Sequence, residues 1–224
     1  MEVRAHSERG TIPPEVFIPL AEETGLIHEI GAWVVREACT QLRTWRDGGM
    51  RLDRIAVNVS ASQLVRDDFA AAVAESLARC RLAGADFEVE ITESTVMRDP
   101  ERAHRALVAL RERGVGVSID DFGTGFSSLA QLMRLPASRL KIDRSFVSRL
   151  PADSGAAAVV STIAALGHAL DLSIVAEGVE TKAQRDFLLA HGVTELQGYL
   201  YARPLPPEEA LAAWDRLRTA QGGE

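Results

Sequence analysis

Very little in this chain invites a disulfide, a zinc site or a membrane. It has two cysteines, Cys39 and Cys80, in 224 residues, without metal-motif spacing and too few for a disulfide framework. Each lies in a stretch of helical period, and both read as small buried apolar residues of a reducing compartment. Aromatic residues make up only 5%, which suits helices packed on a sheet better than an aromatic-rich binding surface. Cationic excess is also missing, the formal net charge being −7. That argues against a nucleic-acid polymer as partner, because such binding needs a basic face that releases counterions. No apolar run approaches a membrane span, and the opening MEVRAHSERG lacks the apolar core of an export leader. A cytoplasmic chain with no membrane segment is therefore expected. The five histidines, His6, His28, His104, His168 and His191, show no paired spacing and read as surface or packing residues.

What the chain does have is apolar mass, 46% of residues, enough for one domain over 1–224 of the α/β-barrel size class. Short β-branched runs alternate with longer segments of helical period. The runs are 54-RIAVNVS-60, 87-FEVEIT-92, 115-VGVSIDDF-122, 139-RLKID-143, 173-SIVAEG-178 and 194-TELQGYL-200. Between them, 99-DPERAHRALVALRERG-114 carries an N-cap candidate in Asp99, Pro100 at the first helical position and a terminating Gly114. Thr181 opens 182-KAQRDFLLAHG-192 in the same way. Such alternation predicts a parallel sheet flanked by helices.

Each predicted strand is apolar until its C-terminal end, where Asn58, Glu90, Asp120 with Asp121, Lys141, Glu177 and Gln197 appear in turn. One carboxylate at a strand end is often a cap or a surface charge, but a polar residue on every consecutive strand is not. In a parallel barrel all strand C-termini converge on the face that carries the active site. An open doubly wound sheet would concentrate its ligand at one switch point instead. The pattern favours the barrel. The donors are all oxygen, which suits Mg²⁺ or Mn²⁺ better than Zn²⁺. Four converging carboxylates without a cation would repel one another and take up protons. Lys141 adds one fixed positive charge, suited to an anionic substrate or a nucleophilic water. Paired cations with a nearby Lys are equipment for phosphodiester hydrolysis. The stretch 121-DFGTGFSS-128 matches neither dinucleotide nor P-loop spacing, so Gly123 and Gly125 are read as permitting a tight loop. A phosphate-accepting receiver domain also has an acidic pair and a Lys, but no separate strand-end Asp lies between Asp121 and Lys141.

The strings 11-TIPPEVFIPLAEETGLI-27, 56-AVNVSASQL-64, 88-EVEITES-94, 119-IDDFGTGFSSL-129, 140-LKIDRSFV-147, 175-VAEGVET-181 and 197-QGYLYARPLP-206 resemble, in order, the signature segments of EAL domains. The resemblance implies a TIM-like (β/α) barrel whose first strand is antiparallel, and hydrolysis of cyclic di-GMP to linear pGpG with Mg²⁺ or Mn²⁺. Asn58, Glu90 and Asp120 match the family's direct metal ligands, and Asp121 the ligand of a second ion. Glu177 matches the carboxylate supporting the metal–water cluster, Lys141 the residue that positions the attacking water, and Gln197 its neighbour. Glu93 matches the anchor of the Asp-Phe-Gly-Thr-Gly loop, which in the family couples dimerisation to metal binding; a homodimer is implied. Asp143 and Arg203 match motif positions, which implies a role on the guanine side of the substrate or a structural one.

The family's Glu-Ala-Leu precedes a segment resembling 1-MEVRAHSERG-10, so that motif and the strand before it fall ahead of Met1. The expectation is an N-terminally incomplete barrel with about six of eight strands in this chain, and possible sensory or cyclase domains outside it. A phosphodiesterase is the first reading of function. A catalytically inactive module that binds cyclic di-GMP or a protein partner is the alternative.

Overall fold

The computed structural model describes residues 5–7, 10–125 and 133–221. It opens with a short antiparallel pair, β1 (Ala5–Ser7) and β2 (Gly10–Ile12), followed by α1 (Pro14–Thr24) and α2 (Ile27–Asp47). Then come β3 (Ile55–Asn58), α3 (Ala61–Leu64), α4 (Phe69–Arg79), β4 (Phe87–Thr92), α5 (Glu93–Arg98) and α6 (Pro100–Arg111). The second half holds β5 (Gly116–Phe122), β6 (Arg139–Ile142), α7 (Arg144–Val147), α8 (Ser154–Ala169) and β7 (Ser173–Ala176). It ends with α9 (Lys182–Ala190), β8 (Glu195–Leu196) and α10 (Pro207–Gln221).

All six predicted strands form. β3 to β8 lie side by side in sequence order and every pairing is parallel. A doubly wound sheet would reverse its order at a switch point; this one winds steadily in one direction, as a barrel does. The sheet is also curled. Arg139 on β6 bonds both Glu88 on β4 and Glu195 on β8. In a flat sheet β4 and β8 would lie about 19 Å apart, at roughly 4.8 Å per strand. One side chain spans them only because the strands wrap around it. The architecture is a six-stranded, curled partial barrel with helices outside. The β1–β2 pair was not foreseen, since AHS and GTI carry no apolar alternation.

The helix ends follow the local chemistry. Asp99 accepts a hydrogen bond from the Arg102 amide at 3.1 Å, Pro100 occupies the first turn of α6, and Gly114 beyond its end takes φ +79°. Thr181 and Gln184 form a reciprocal capping box on α9. α2 buries Val35, Ala38, Cys39 and Leu42, one face of a helix at 3.6-residue period. Cys39 is fully buried, and burial, together with the neighbouring Cys80, pushes its thiol up to about 12. Both cysteines are free, and Cys80 sits at the end of α4 rather than within it.

The apolar core lies between sheet and helices. Ile55 and Val57, Phe87, Val89 and Ile91, Val117 and Ile119, and Leu140 pack with α2, α4 and α6. Ile142, Ile174 and Ala176 pack with α8 and α9. Strand side chains alternate between faces, so the residues in between point to the barrel axis.

Candidate active site

That inward row is polar. It comprises Arg54 just before β3 and Asn58 on it, Glu88 and Glu90 of β4, Ser118 and Asp120 of β5, Arg139 and Lys141 of β6, and Glu195 of β8. Most TIM barrels fill this space with branched apolar residues. Here small residues, Ala56 and Gly116, make room for long charged ones, and on β7 the inward face carries Ser173 and the apolar Val175. A Cβ on Gly116 would come within 3.1 Å of Glu88 Oε2, so the glycine makes room for that carboxylate.

The polar residues form two layers. The lower is an ionic floor: Arg139 bonds Glu88 and reaches Glu195 Oε1 at 2.7 Å, and Arg54 lies 3.4 Å from Glu88 Oε2. The upper layer centres on Lys141. Its Nζ sits 2.5 Å from Glu177 Oε1, 2.9 Å from Glu90 Oε2 and 3.2 Å from Asp120 Oδ2. Asn58 Nδ2 donates to Glu90 Oε2 at 3.3 Å. Burial pushes the Lys141 ammonium down, but the three carboxylates outweigh it and hold its pKa above the ordinary lysine value. On the carboxylates burial acts the other way. Burial raises Glu90 and Glu177, and the charge of Asp120 raises both further, against the opposing pull of Lys141.

Asp120 and Asp121 would point to opposite faces of a regular strand. The β5–β6 ladder slips between Ile119 and Phe122, and Asp121 takes the left-handed conformation at φ +54°. The Asp121 amide donates to Asp120 Oδ1 at 2.9 Å. This irregularity keeps both acids near the same centre. Burial, then the charges of Asp120 and Asp143, raise the Asp121 pKa. Asp143 itself caps α7, accepting from the Ser145 amide at 3.0 Å.

The remaining predicted residues surround this centre. Glu93 Oε2 accepts from the Gly123 amide at 3.3 Å, and a Cβ on Gly125 would meet Glu93 Oε1 at 2.7 Å. Gly123 has φ +94°, the left-handed region that favours glycine. Residues 126–128 of the Gly-rich stretch lie outside the described residues. Gln197 follows β8; its amide donates to Ala176 O and its carbonyl accepts from the Val179 amide, while the residue is exposed. The Arg203 guanidinium lies 4.6 Å from the centre of the Tyr199 ring, with Arg144 5.9 Å from that centre. The structure thus brings Asn58, Glu90, Asp120, Asp121, Lys141, Glu177 and Asp143 together, and leaves Gln197 and Arg203 at the rim.

Four upper-layer carboxylates, Glu90, Asp120, Asp121 and Glu177, face one ammonium, an excess of three negative charges. Among the described residues no three acid, imidazole or thiol groups are already arranged around an open metal position; Lys141 stands in their midst. The donor set is nevertheless all oxygen and under-neutralised, which fits a hard divalent cation.

Sequence reasoning overlooked the floor and Tyr199. The floor was legible by period: Glu88, Arg139 and Glu195 each lie two residues before a predicted strand-end residue, hence on the same face.

A singly wound, curled parallel sheet with acids at its strand ends defines a protein of the TIM-like barrel class. A family model of the EAL domain matches residues 3–204, and the chain belongs to that family. The bifunctional diguanylate cyclase/cyclic di-GMP phosphodiesterase MucR of Pseudomonas aeruginosa is 52% identical over 208 residues, 93% of this chain and 30% of that protein. The cyclic di-GMP phosphodiesterase NbdA of the same organism is 43% identical over 201 residues, 90% of this chain and 26% of that protein. A solved c-di-GMP complex of the PaMucR phosphodiesterase superposes with a TM-score of 0.88 at 51% identity, over 93% of this chain and 85% of that one. The chain spans under a third of the length of these two curated relatives. No helix among the described residues is long and apolar enough to cross a membrane.

Proposed function

We propose that this domain hydrolyses cyclic di-GMP to linear pGpG with the help of Mg²⁺ or Mn²⁺. The observation that carries the reading is the convergence of Glu90, Asp120 and Glu177 on Lys141 at the strand-end face, with Asp121 brought in by the β5 irregularity. Asn58, Glu90 and Asp120 would hold one ion, and Asp121 with Glu177 would support a second. Bound divalent ions would polarise the phosphoryl oxygens and acidify the attacking water. In the net reaction the water oxygen bonds to phosphorus, one ring P–O bond breaks, and the departing sugar oxygen takes up a proton.

Lys141 stays charged, so it acts as a fixed cation that orients water and balances phosphoryl charge, not as a base. Asp143 and Gln197 lie where substrate would approach. Tyr199, flanked by Arg144 and Arg203, offers a flat cationic face for a guanine ring. The EAL family membership and the relatives named for this activity support the same assignment.

The test is turnover of cyclic di-GMP by purified chain in Mn²⁺ or Mg²⁺, followed by chromatography of pGpG. The expected result is product formation that Asp120→Asn reduces by at least about a hundredfold. Binding of cyclic di-GMP, titrated in Ca²⁺, with no turnover in any catalytic metal would overturn the enzyme reading and leave a receptor.

A further inference from the structure

The inward row contains two polar atoms that the ionic floor and the upper layer leave over. Ser118 Oγ and Arg139 Nε are buried, and neither meets a hydrogen-bond partner among the described residues. They are not independent. Ser118 and Arg139 are registered neighbours on β5 and β6, and Ser118 is registered with Glu90 on its other side. Registered neighbours share a face, so both atoms lie at the axis between the floor and the Lys141 layer. A guanidinium Nε–H only donates, and a buried donor without a partner is costly.

The surroundings decide what can satisfy it. An anion would face Glu88 and Glu90, and a metal ion would face Arg139. A water can accept from Arg139 Nε, exchange a bond with Ser118 Oγ and donate upward to the Glu90 carboxylate. That is the set of two to four polar partners a buried water needs. Both identified bonds to Glu90 reach one oxygen, Oε2, so a third contact from below would fix the plane of the carboxylate.

We propose that Ser118 and Arg139 hold a resident water that positions Glu90 from beneath, making Ser118 a positioning residue. The positioning half rests on the metal-binding reading above; the water site does not.

A high-resolution crystal structure of the metal-free chain tests the site. A single water within hydrogen-bond distance of Ser118 Oγ and Arg139 Nε is the expected result. A direct Arg139 Nε to Ser118 Oγ bond with no water between them would overturn it. Mn²⁺ titration then tests positioning. Ser118→Val fills the site and is expected to weaken Mn²⁺ binding about tenfold and to lower Tm by about 5 °C. Ser118→Ala leaves space for the water and should change Mn²⁺ affinity by less than about threefold. Leu107→Ala, a buried helix residue away from the axis, supplies a comparably destabilised control whose Mn²⁺ affinity stays at the wild-type value. Equal Mn²⁺ affinity for Ser118→Val and wild type, with Tm reduced, would sink the positioning role. If the wild-type chain binds no Mn²⁺ at all, the functional reading fails, and the crystallographic water still decides the site by itself.

Discussion

Lys141 holds apart three acids that would otherwise face one another in a buried space. Removing it leaves Glu90, Asp120 and Glu177 without their shared cation. Lys141→Met should therefore destabilise the metal-free protein by about 3–5 kcal/mol, the usual cost of stripping one partner from a buried ion pair. Urea denaturation measures this, and Mn²⁺ should recover part of the loss in the variant, since a divalent ion replaces the missing charge. An unchanged midpoint would mean that the acids are solvated independently. At this scale the sequence was informative about identity but not about geometry. Oxygen donors on consecutive strands pointed to residues that the fold brings together. Nothing in the adjacent pair Asp120–Asp121 told how both could serve one centre, because that depends on a ladder slip and a positive φ. Tyr199 escaped notice because an exposed aromatic becomes informative only once two guanidiniums are found beside it.

Elements are joined here by caps and by a few side chains that bridge them. Asp86, just before β4, accepts from Arg46 of α2 at 2.9 Å and from the Ala83 amide at 2.7 Å. Burial raises its pKa, but these two bonds outweigh burial and leave it below the ordinary aspartate value. A folded-state pKa below the unfolded one gives stability that is present above the unfolded value, near 3.9, and is lost as pH falls through the folded value. Asp86→Asn should cost about 1 kcal/mol at pH 6. The gap between variant and wild type should narrow progressively below about pH 4. Equal gaps at pH 6 and pH 3 would show that the charge contributes nothing. All six parallel strands, α6 and α9 were legible, because apolar runs and the caps Asp99 and Thr181 are local chemistry. β1 and β2 were not, since three-residue segments such as AHS and GTI take their structure from their partner strand rather than their own period.

Across the molecule, charge occupies the axis and apolar mass forms a shell around it. A buried ionic layer is weak evidence of stability, because an apolar replacement of the whole layer can do as well. Breaking it halfway is another matter. Arg139→Met leaves Glu88 buried at 3% exposure and should cost about 3–5 kcal/mol. That penalty should persist in 1 M NaCl, where the Debye length is about 3 Å, because solvent ions do not reach the axis. The exposed Arg43–Asp47 pair on α2 should by contrast contribute nothing measurable in the same salt. Denaturation of Arg139→Met and of Arg43→Met at low and high salt separates the two cases. Barrel winding is legible in the polar strand ends; the floor is less so, because its charged residues sit inside the strands, two places before those ends.

The two-faced strands also set how this chain can vary. Along β4, β5 and β6, the outward aliphatic residues pack into the apolar core, so a saturation library should accept Val, Ile and Leu at those positions almost interchangeably. Inward positions answer to partners on strands two apart, as Arg139 answers to Glu88 and Glu195. A mutational fitness map should therefore show a stripe of tolerance repeating every second residue. Changes at the intolerant positions should survive chiefly as compensated pairs, which would make this barrel's axis drift by coordinated steps while its shell drifts one residue at a time.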